Sequence, residues 1–235
     1  MWISDTFLPL QRCAQIMISV VIVLGSHGQS AIASDISGKV VITRPAQSDS
    51  RILSRSIIRR YTGQQSEATM SHDDGPPEII VYLDGVGAGA WQPGKKQVVV
   101  LDQKNERFIP HVLPILVGST VEFLNSDDVY HNVFSYSPAR SFDLGRYKRG
   151  KSKSVTFDKP GVVKVYCDIH THMNAFILVL KNPYFAVTDE EGHFRLQNIP
   201  AGRYHIKAWH GRWPEKSRQI DIREGQDAVV NFEFP

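Results

Sequence analysis

The stretch YCDIHTHMNAFILVL, residues 166–180, carries Cys167, His170 and Met173 in a C-x-x-H-x-x-M spacing. That spacing places a thiolate, an imidazole and a thioether on one short loop just ahead of an apolar, strand-like run. The three donors are soft to borderline, a set that suits copper rather than calcium, magnesium or manganese, which take oxygen ligands. Zinc accepts cysteine and histidine but holds a thioether poorly, and an iron–sulfur cluster needs more thiolates than this chain has to give. A mononuclear copper centre with a trigonal base needs a second imidazole. VEFLNSDDVYHNVFS, residues 121–135, supplies His131, which follows a strand and a polar turn and opens the next strand.

The compartment sharpens that reading. Arg12 precedes an apolar run over 16–24, and Ala31-Ile32-Ala33 offers the small-x-small pattern of a signal-peptidase site. A signal peptide over 1–33 is therefore expected, with a periplasmic or secreted mature chain. The apolar run falls short of the roughly 18 residues that span a bilayer, so no membrane span is expected after its removal. Cys13 lies in the segment that is lost, which leaves Cys167 as the lone cysteine of the mature chain. No internal disulfide can form, and an exported thiol is a liability unless it is buried or bonded to something else. With 42% hydrophobic and 22% charged residues the composition is that of an ordinary globular protein, and a formal charge of +3 implies no nucleic-acid partner. One basic run stands out, RYKRGKSK over 146–153, from Arg146 at one end to Lys153 at the other. It reads either as a solvated loop or as a docking patch for an acidic redox partner.

The elements that must position the donors have the periodicity of strands. KQVVVLD, TVEFLN, SVTFD, VVKVYC, AFILVL, HFRLQ, YHIKAW, QIDI and VVNFEF are rich in β-branched and aromatic residues, and each is bounded by Gly, Pro, Asn or Asp. The expected class is all-β, in sandwich style. One segment breaks the pattern: RILSRSIIRRY, 51–61, spaces Leu53, Ile57 and Tyr61 for a short amphipathic helix. The polar stretch 63–77 that follows reads as a loop or insertion. Near the C-terminus, a tight turn over 189–192 and a second one at Pro200-Ala201-Gly202 separate alternating strands.

Two family resemblances rest on these residues. GSTVEFLNSDDVYHNVFS, the Pro160-Gly161 turn, VVKVYC and the H-x-x-M that follows resemble the cupredoxins, the plastocyanin- and amicyanin-like blue-copper proteins, with a ligand loop of the amicyanin length. The likeness covers about 95–180 and includes FIPHVLPILVG. It implies a Greek-key β-sandwich holding one type 1 copper ion, with His131, Cys167 and His170 as equatorial ligands and Met173 as the weak axial one. Asn132 matches the family's asparagine that ties the two ligand loops together by hydrogen bonds. The second resemblance, carried by SGKVVI (37–42), IIVYLDG (79–85) and the chain from Ala186 onward, is to the carboxypeptidase-regulatory-like, or transthyretin-like, sandwich. The first module looks inserted into the second, with boundaries at 34–92, 93–183 and 184–235. Proteins labelled methylamine-utilisation proteins pair such modules, although no residue here points to an amine substrate.

The function these resemblances imply is a one-electron carrier between redox partner proteins rather than an enzyme. Copper enzymes of this kind need further histidine sets of the form H-x-H, and only His170-Thr171-His172 has that form. Two other readings of the sequence stay open: a copper chaperone, sensor or storage protein, and a noncatalytic envelope-binding module. His172 is expected to turn away from the metal as a histidine at the site mouth, the alternative being a further ligand. His111 is expected to be structural or solvent-facing, or else to lie near the site. Tyr166 and Phe134 are expected in the apolar wall around the metal, and Trp209-His210 in packing and a turn.

Overall fold

In a computed structural model, residues 33–43, 78–87, 91 and 97–235 are described. The expected signal segment up to residue 32, the expected helix over 51–61 and the polar stretch 63–77 lie outside them. The β-branched and aromatic runs form strands, and no helix occurs among the described residues. In chain order the strands are β1 (Ser34–Ile42), β2 (Ile80–Asp84), β3 (Val98–Lys104), β4 (Arg107–Ile109), β5 (Val112–Leu116) and β6 (Thr120–Asn125). Next come β7 (His131–Ser137), β8 (Arg140–Tyr147), β9 (Ser152–Thr156), β10 (Gly161–Tyr166), β11 (Asn174–Leu180) and β12 (Phe185–Val187). The last are β13 (His193–Ile199), β14 (Gly202–Trp209), β15 (Lys216–Ile222), β16 (Ala228–Val229) and β17 (Phe232–Phe234).

Two sheets enclose the donors. One has the order β5-β11-β10-β7-β8 and the other β4-β3-β6-β9. Their facing sides bury Leu101, Val121, Phe123, Val133, Phe157, Val163, Val165 and Ile177, together with Cys167 and Met173. The remaining strands form a second pair of sheets, β13-β1-β16 with β17 also on β1, and β12-β2-β14-β15. These bury their own core of Ile36, Val81, Leu83, Leu196, Ile206 and Phe234. Strands from the two ends of the chain pair directly: β1 with β13, β16 and β17, and β2 with β12 and β14.

The run AFILVL is apolar without alternation because β11 is buried on both faces, the pattern of a doubly covered strand. Ile177 and Val179 point into the core with the donors. Leu178 and Leu180 pack on the other side with Ile80, Val112 and Trp209. Phe176 meets Trp209 edge-on at 5.4 Å between ring centres. This apolar seam fixes the strand that leaves the ligand loop, so the loop is anchored at its C-terminal end by two packed layers.

One strand departs from the sequence reading. β8 extends through Arg146 and Tyr147, and β9 begins at Ser152, so only 148–151 of the basic run form the turn between them. The reason is register: Tyr147 pairs with His131 and Arg146 with Asn132. The cross-strand ladder outweighs the run's polar composition.

Candidate metal centre

His131 is the first residue of β7 and is fully buried. Cys167 follows the end of β10 and is 4% exposed, and Met173 immediately precedes β11. Between them the loop closes on itself. The Cys167 amide donates to the Met173 carbonyl (3.2 Å), and the Met173 amide donates to the His170 carbonyl (2.9 Å). The β10–β11 ladder continues this closure up to the Tyr166↔Asn174 pair, so the loop hangs from the end of a regular hairpin. Its tight turn explains the fixed C-x-x-H-x-x-M spacing.

Three of the four residues expected as ligands converge. Cys167 Sγ lies 3.8 Å from His131 Nδ1 and 3.9 Å from His170 Nδ1, and the two Nδ1 atoms are 3.0 Å apart. A triangle with these edges has its centre about 2.1 Å from each corner, within the span of about 2.0 to 2.3 Å for metal bonds to imidazole nitrogen and thiolate sulfur. The donor set therefore fits a single soft-to-borderline ion. Met173 is 1% exposed in the same core and is hydrogen-bonded through its backbone to both Cys167 and His170. Cys167 carries no disulfide.

The orientation of His131 is set by a residue the sequence reading missed. Asp127 Oδ2 accepts from His131 Nε2 at 2.7 Å. A carboxylate only accepts, so the Nε2 carries the hydrogen and the Nδ1 lone pair faces the sulfur. Asp127 also accepts from the amides of Asn105 (2.6 Å) and Glu106 (2.9 Å), the turn of the β3–β4 hairpin. Burial pushes its carboxyl upward, but these amides and His131 outweigh burial and hold it below the usual carboxylate range. Asn125, fully buried, pins the intervening loop. Its Nδ2 donates to the carbonyls of Val129 (2.9 Å) and Tyr147 (3.0 Å), and its Oδ1 accepts from the Asp127 amide (2.9 Å).

The outer edge of the centre is wetter. The His170 side chain is 17% exposed, with Nε2 3.8 Å from Glu106 Oε1, while His172 Nε2 lies 3.5 Å from Glu106 Oε2. Burial, joined by the neighbouring His131 and His172, holds the His170 imidazole below its usual pKa against the pull of Glu106. His172 lies outside the three-donor group and sits at its mouth. His111 bonds Asn174 at 3.3 Å and meets the Phe176 ring edge-on at 5.6 Å, beside the strand that leaves the ligand loop.

Two expected supports take other forms. Asn132 is buried, but its Oδ1 finds no hydrogen-bond partner, and the bonds that fix the loops come from Asp127 and Asn125 instead. Phe134 and Tyr166 pack on each other at 5.8 Å across the β7–β10 pair. Alternation turns them to the opposite side of the sheet from Val133, Val165 and Cys167, so they do not line the core that holds the donors. A second group with metal-ligand atoms, Asp189, Glu191 and His193, is exposed at the β12–β13 turn, where His193 Nδ1 lies 3.5 Å from Asp189 Oδ2. Trp209 packs in the apolar seam, and His210 lies over Trp213 at 4.2 Å.

No protein-family model matches the chain, and no curated protein matches it. Parts of several solved structures do. A Cu-containing nitrite reductase from Thermus scotoductus SA-01 is 30% identical over 43% of this chain and 26% of that one, with a TM-score of 0.35. The match thus spans only about a quarter of the reductase. A purple cupredoxin from Nitrosopumilus maritimus is 25% identical over 36% of this chain and 100% of that one (TM-score 0.32). Amicyanin from Paracoccus versutus is 20% identical over 38% of this chain and 85% of that one (TM-score 0.32).

Proposed function

We propose that this chain is an exported mononuclear copper protein that passes single electrons between redox partners. His131, Cys167 and His170 hold the ion, and Met173 serves as a weak fourth ligand. The observation that carries this reading is the triangle of Sγ and two Nδ1 atoms, with edges of 3.0, 3.8 and 3.9 Å, closed by a buried thiol that has no disulfide. We further assign residues 93–183 to the copper-holding sandwich and residues 34–92 with 184–235 to a second sandwich into which it is inserted.

Bound copper would supply a one-electron couple whose two oxidation states share a trigonal site with little rearrangement. The chain's own residues do the rest. Asp127 fixes the His131 tautomer before any ion arrives, so no ring flip accompanies loading. Cys167 gives up its proton on binding, which also shields the thiol from oxidation. The sheet core around Cys167 and Met173 keeps water from the inner side of the centre. The edge of His170 reaches the surface, the side from which an electron would enter or leave.

A chaperone or storage role would use the same donors but calls for exchange with solvent. A fully buried His131 and a nearly buried Cys167 speak against it. Anaerobic titration of the metal-free protein with Cu(II), followed by visible absorbance, tests the proposal. One equivalent should generate an intense thiolate-to-copper charge-transfer band that is lost in Cys167→Ser, with the β-sheet circular dichroism retained. A colourless protein, or a band that survives the substitution, contradicts it.

A further inference from the structure

The two loops that bring the donors together also carry the exposed apolar side chains of this end of the molecule. Val129 and Tyr130, directly before His131, are 43% and 57% exposed, and Ile169, directly before His170, is 37% exposed. Val129 and Tyr130 adjoin in the chain, and the 3.0 Å approach of His131 Nδ1 to His170 Nδ1 brings the loop of Ile169 to theirs; a joined apolar patch beside a site marks a contact surface. The turn 148–151 is joined to the same loops. The Gly150 amide donates to the Asn125 carbonyl (2.7 Å), and the Asn125 amide donates to the Lys151 carbonyl (3.0 Å).

Charge at this rim is unbalanced. Arg146 bridges Asp168 at 3.2 Å, and Arg149 pairs with Asp128, so two cations and two carboxylates cancel. Lys148, Lys151 and Lys153 remain exposed, and none has a carboxylate in ion-pair range among the described residues. Lys153 donates to the Leu144 carbonyl and lies over the Tyr147 ring at 5.3 Å, which anchors its stem and leaves its charge in place. The carboxylates that face the centre, Asp127 and Glu106, are engaged by His131 and by His170 and His172.

We infer that this face docks an acidic redox protein, with Val129, Tyr130 and Ile169 forming the dry centre of the contact and Lys148, Lys151 and Lys153 steering the approach. The inference rests on the copper reading and names the kind of partner that reading requires. One electron crosses between the copper and the partner's cofactor, and no bond or proton changes hands. An apolar centre gives the short contact that electron transfer needs, while a rim of like charge raises the encounter rate with an oppositely charged partner at low salt.

A pair of probes with one fold and opposite charge tests this directly: a basic mitochondrial cytochrome c, and the same protein with its lysines succinylated. The copper-loaded protein should exchange electrons with the succinylated form at least about tenfold faster at low ionic strength, and the gap should close toward 1 M salt. In Lys148→Glu/Lys151→Glu the preference should vanish or reverse while the visible band stays unchanged. In the reduced protein, the succinylated probe should shift the amide signals of Tyr130, Ile169 and the 148–151 turn. Equal or faster reaction with the native cytochrome, or a preference that survives the double variant, overturns the inference and leaves the copper reading standing. Absence of the band itself overturns both. Sedimentation with phosphatidylglycerol vesicles that is lost in the double variant assigns the face to lipid and overturns the protein-partner inference.

Discussion

Asp127→Asn is the perturbation whose size the structure determines most fully. The carboxylate accepts three hydrogen bonds, from Asn105, Glu106 and His131, at 2.6, 2.9 and 2.7 Å. An asparagine keeps one acceptor and turns an amide N–H₂ toward the donors that remain. With that oxygen in the Oδ2 place, the bonds from Glu106 and His131 persist at neutral strength and the one from Asn105 is lost; at roughly 1.5–3 kcal/mol for a bond to a charged group, one loss and two weakenings cost about 2–4 kcal/mol after partial rescue by water. For a protein of this length that lowers Tm by about 5–15 °C in the metal-free state. Copper affinity should fall about 10- to 100-fold as well, the usual cost of removing the partner of a ligating histidine. Thermal melts by circular dichroism give the first quantity, and competition with a chelator of known affinity gives the second.

A second substitution separates the two effects. Asn105 and Glu106 both adopt φ near 54°, and Glu106 is a side-chain-bearing residue in a region that costs it about 1 kcal/mol or more. Adding Glu106→Gly to the Asp127→Asn background should return part of the lost stability without returning copper affinity, since only Asp127 orients His131. If the single variant binds copper within about threefold of wild type, or if the double variant recovers affinity along with stability, the orienting role is refuted.

Three further outcomes follow from the same geometry. Met173→Gln should keep copper but lower the reduction potential, because a harder oxygen ligand favours Cu(II); voltammetry that shows no change would remove Met173 from the ligand set. The same change places an amide in a core position that is 1% exposed, so the metal-free variant should unfold with about 1–3 kcal/mol less stability in urea. His210 is held at about 4 by burial first and then by Arg212 and His111, below the ordinary imidazole value of about 6.5. The unfolded chain therefore binds the proton first, and this site's contribution, complete above pH 6.5, is lost as pH falls toward 4, by at most about 1.4 kcal/mol per unit. Urea midpoints between pH 7 and pH 4.5 should fall less steeply in His210→Phe than in wild type, and equal slopes would contradict the assignment.

Much of the centre was legible because its chemistry is local. The spacing of Cys167, His170 and Met173 is a property of one loop, and alternation in the flanking runs marks that loop as a link between strands. His131 was legible as an imidazole opening a strand after a polar turn, in a stretch that also carries the cupredoxin resemblance. Asp127 was not, since in NSDDVYH it reads as a turn former, and only the fold brings the hairpin at Asn105 and Glu106 against it. Strand β8 was hidden for a related reason. RSFDLGRY lies at a sheet edge with mostly exposed side chains, so no apolar period announces it. Asn132 shows the opposite limit, where a motif match predicts a hydrogen-bonded tie and the backbone places its Oδ1 without a partner. The pairing of β1 and β2 with strands more than a hundred residues later had a signal only in the second resemblance, since periodicity does not encode which distant segments bury one another.

X-ray absorption at the copper edge, on protein loaded with one equivalent, tests the central claim most directly. The account predicts one sulfur scatterer at about 2.2–2.3 Å and two nitrogen scatterers at about 2.0 Å. A shell of nitrogen and oxygen alone, without the short sulfur, contradicts it.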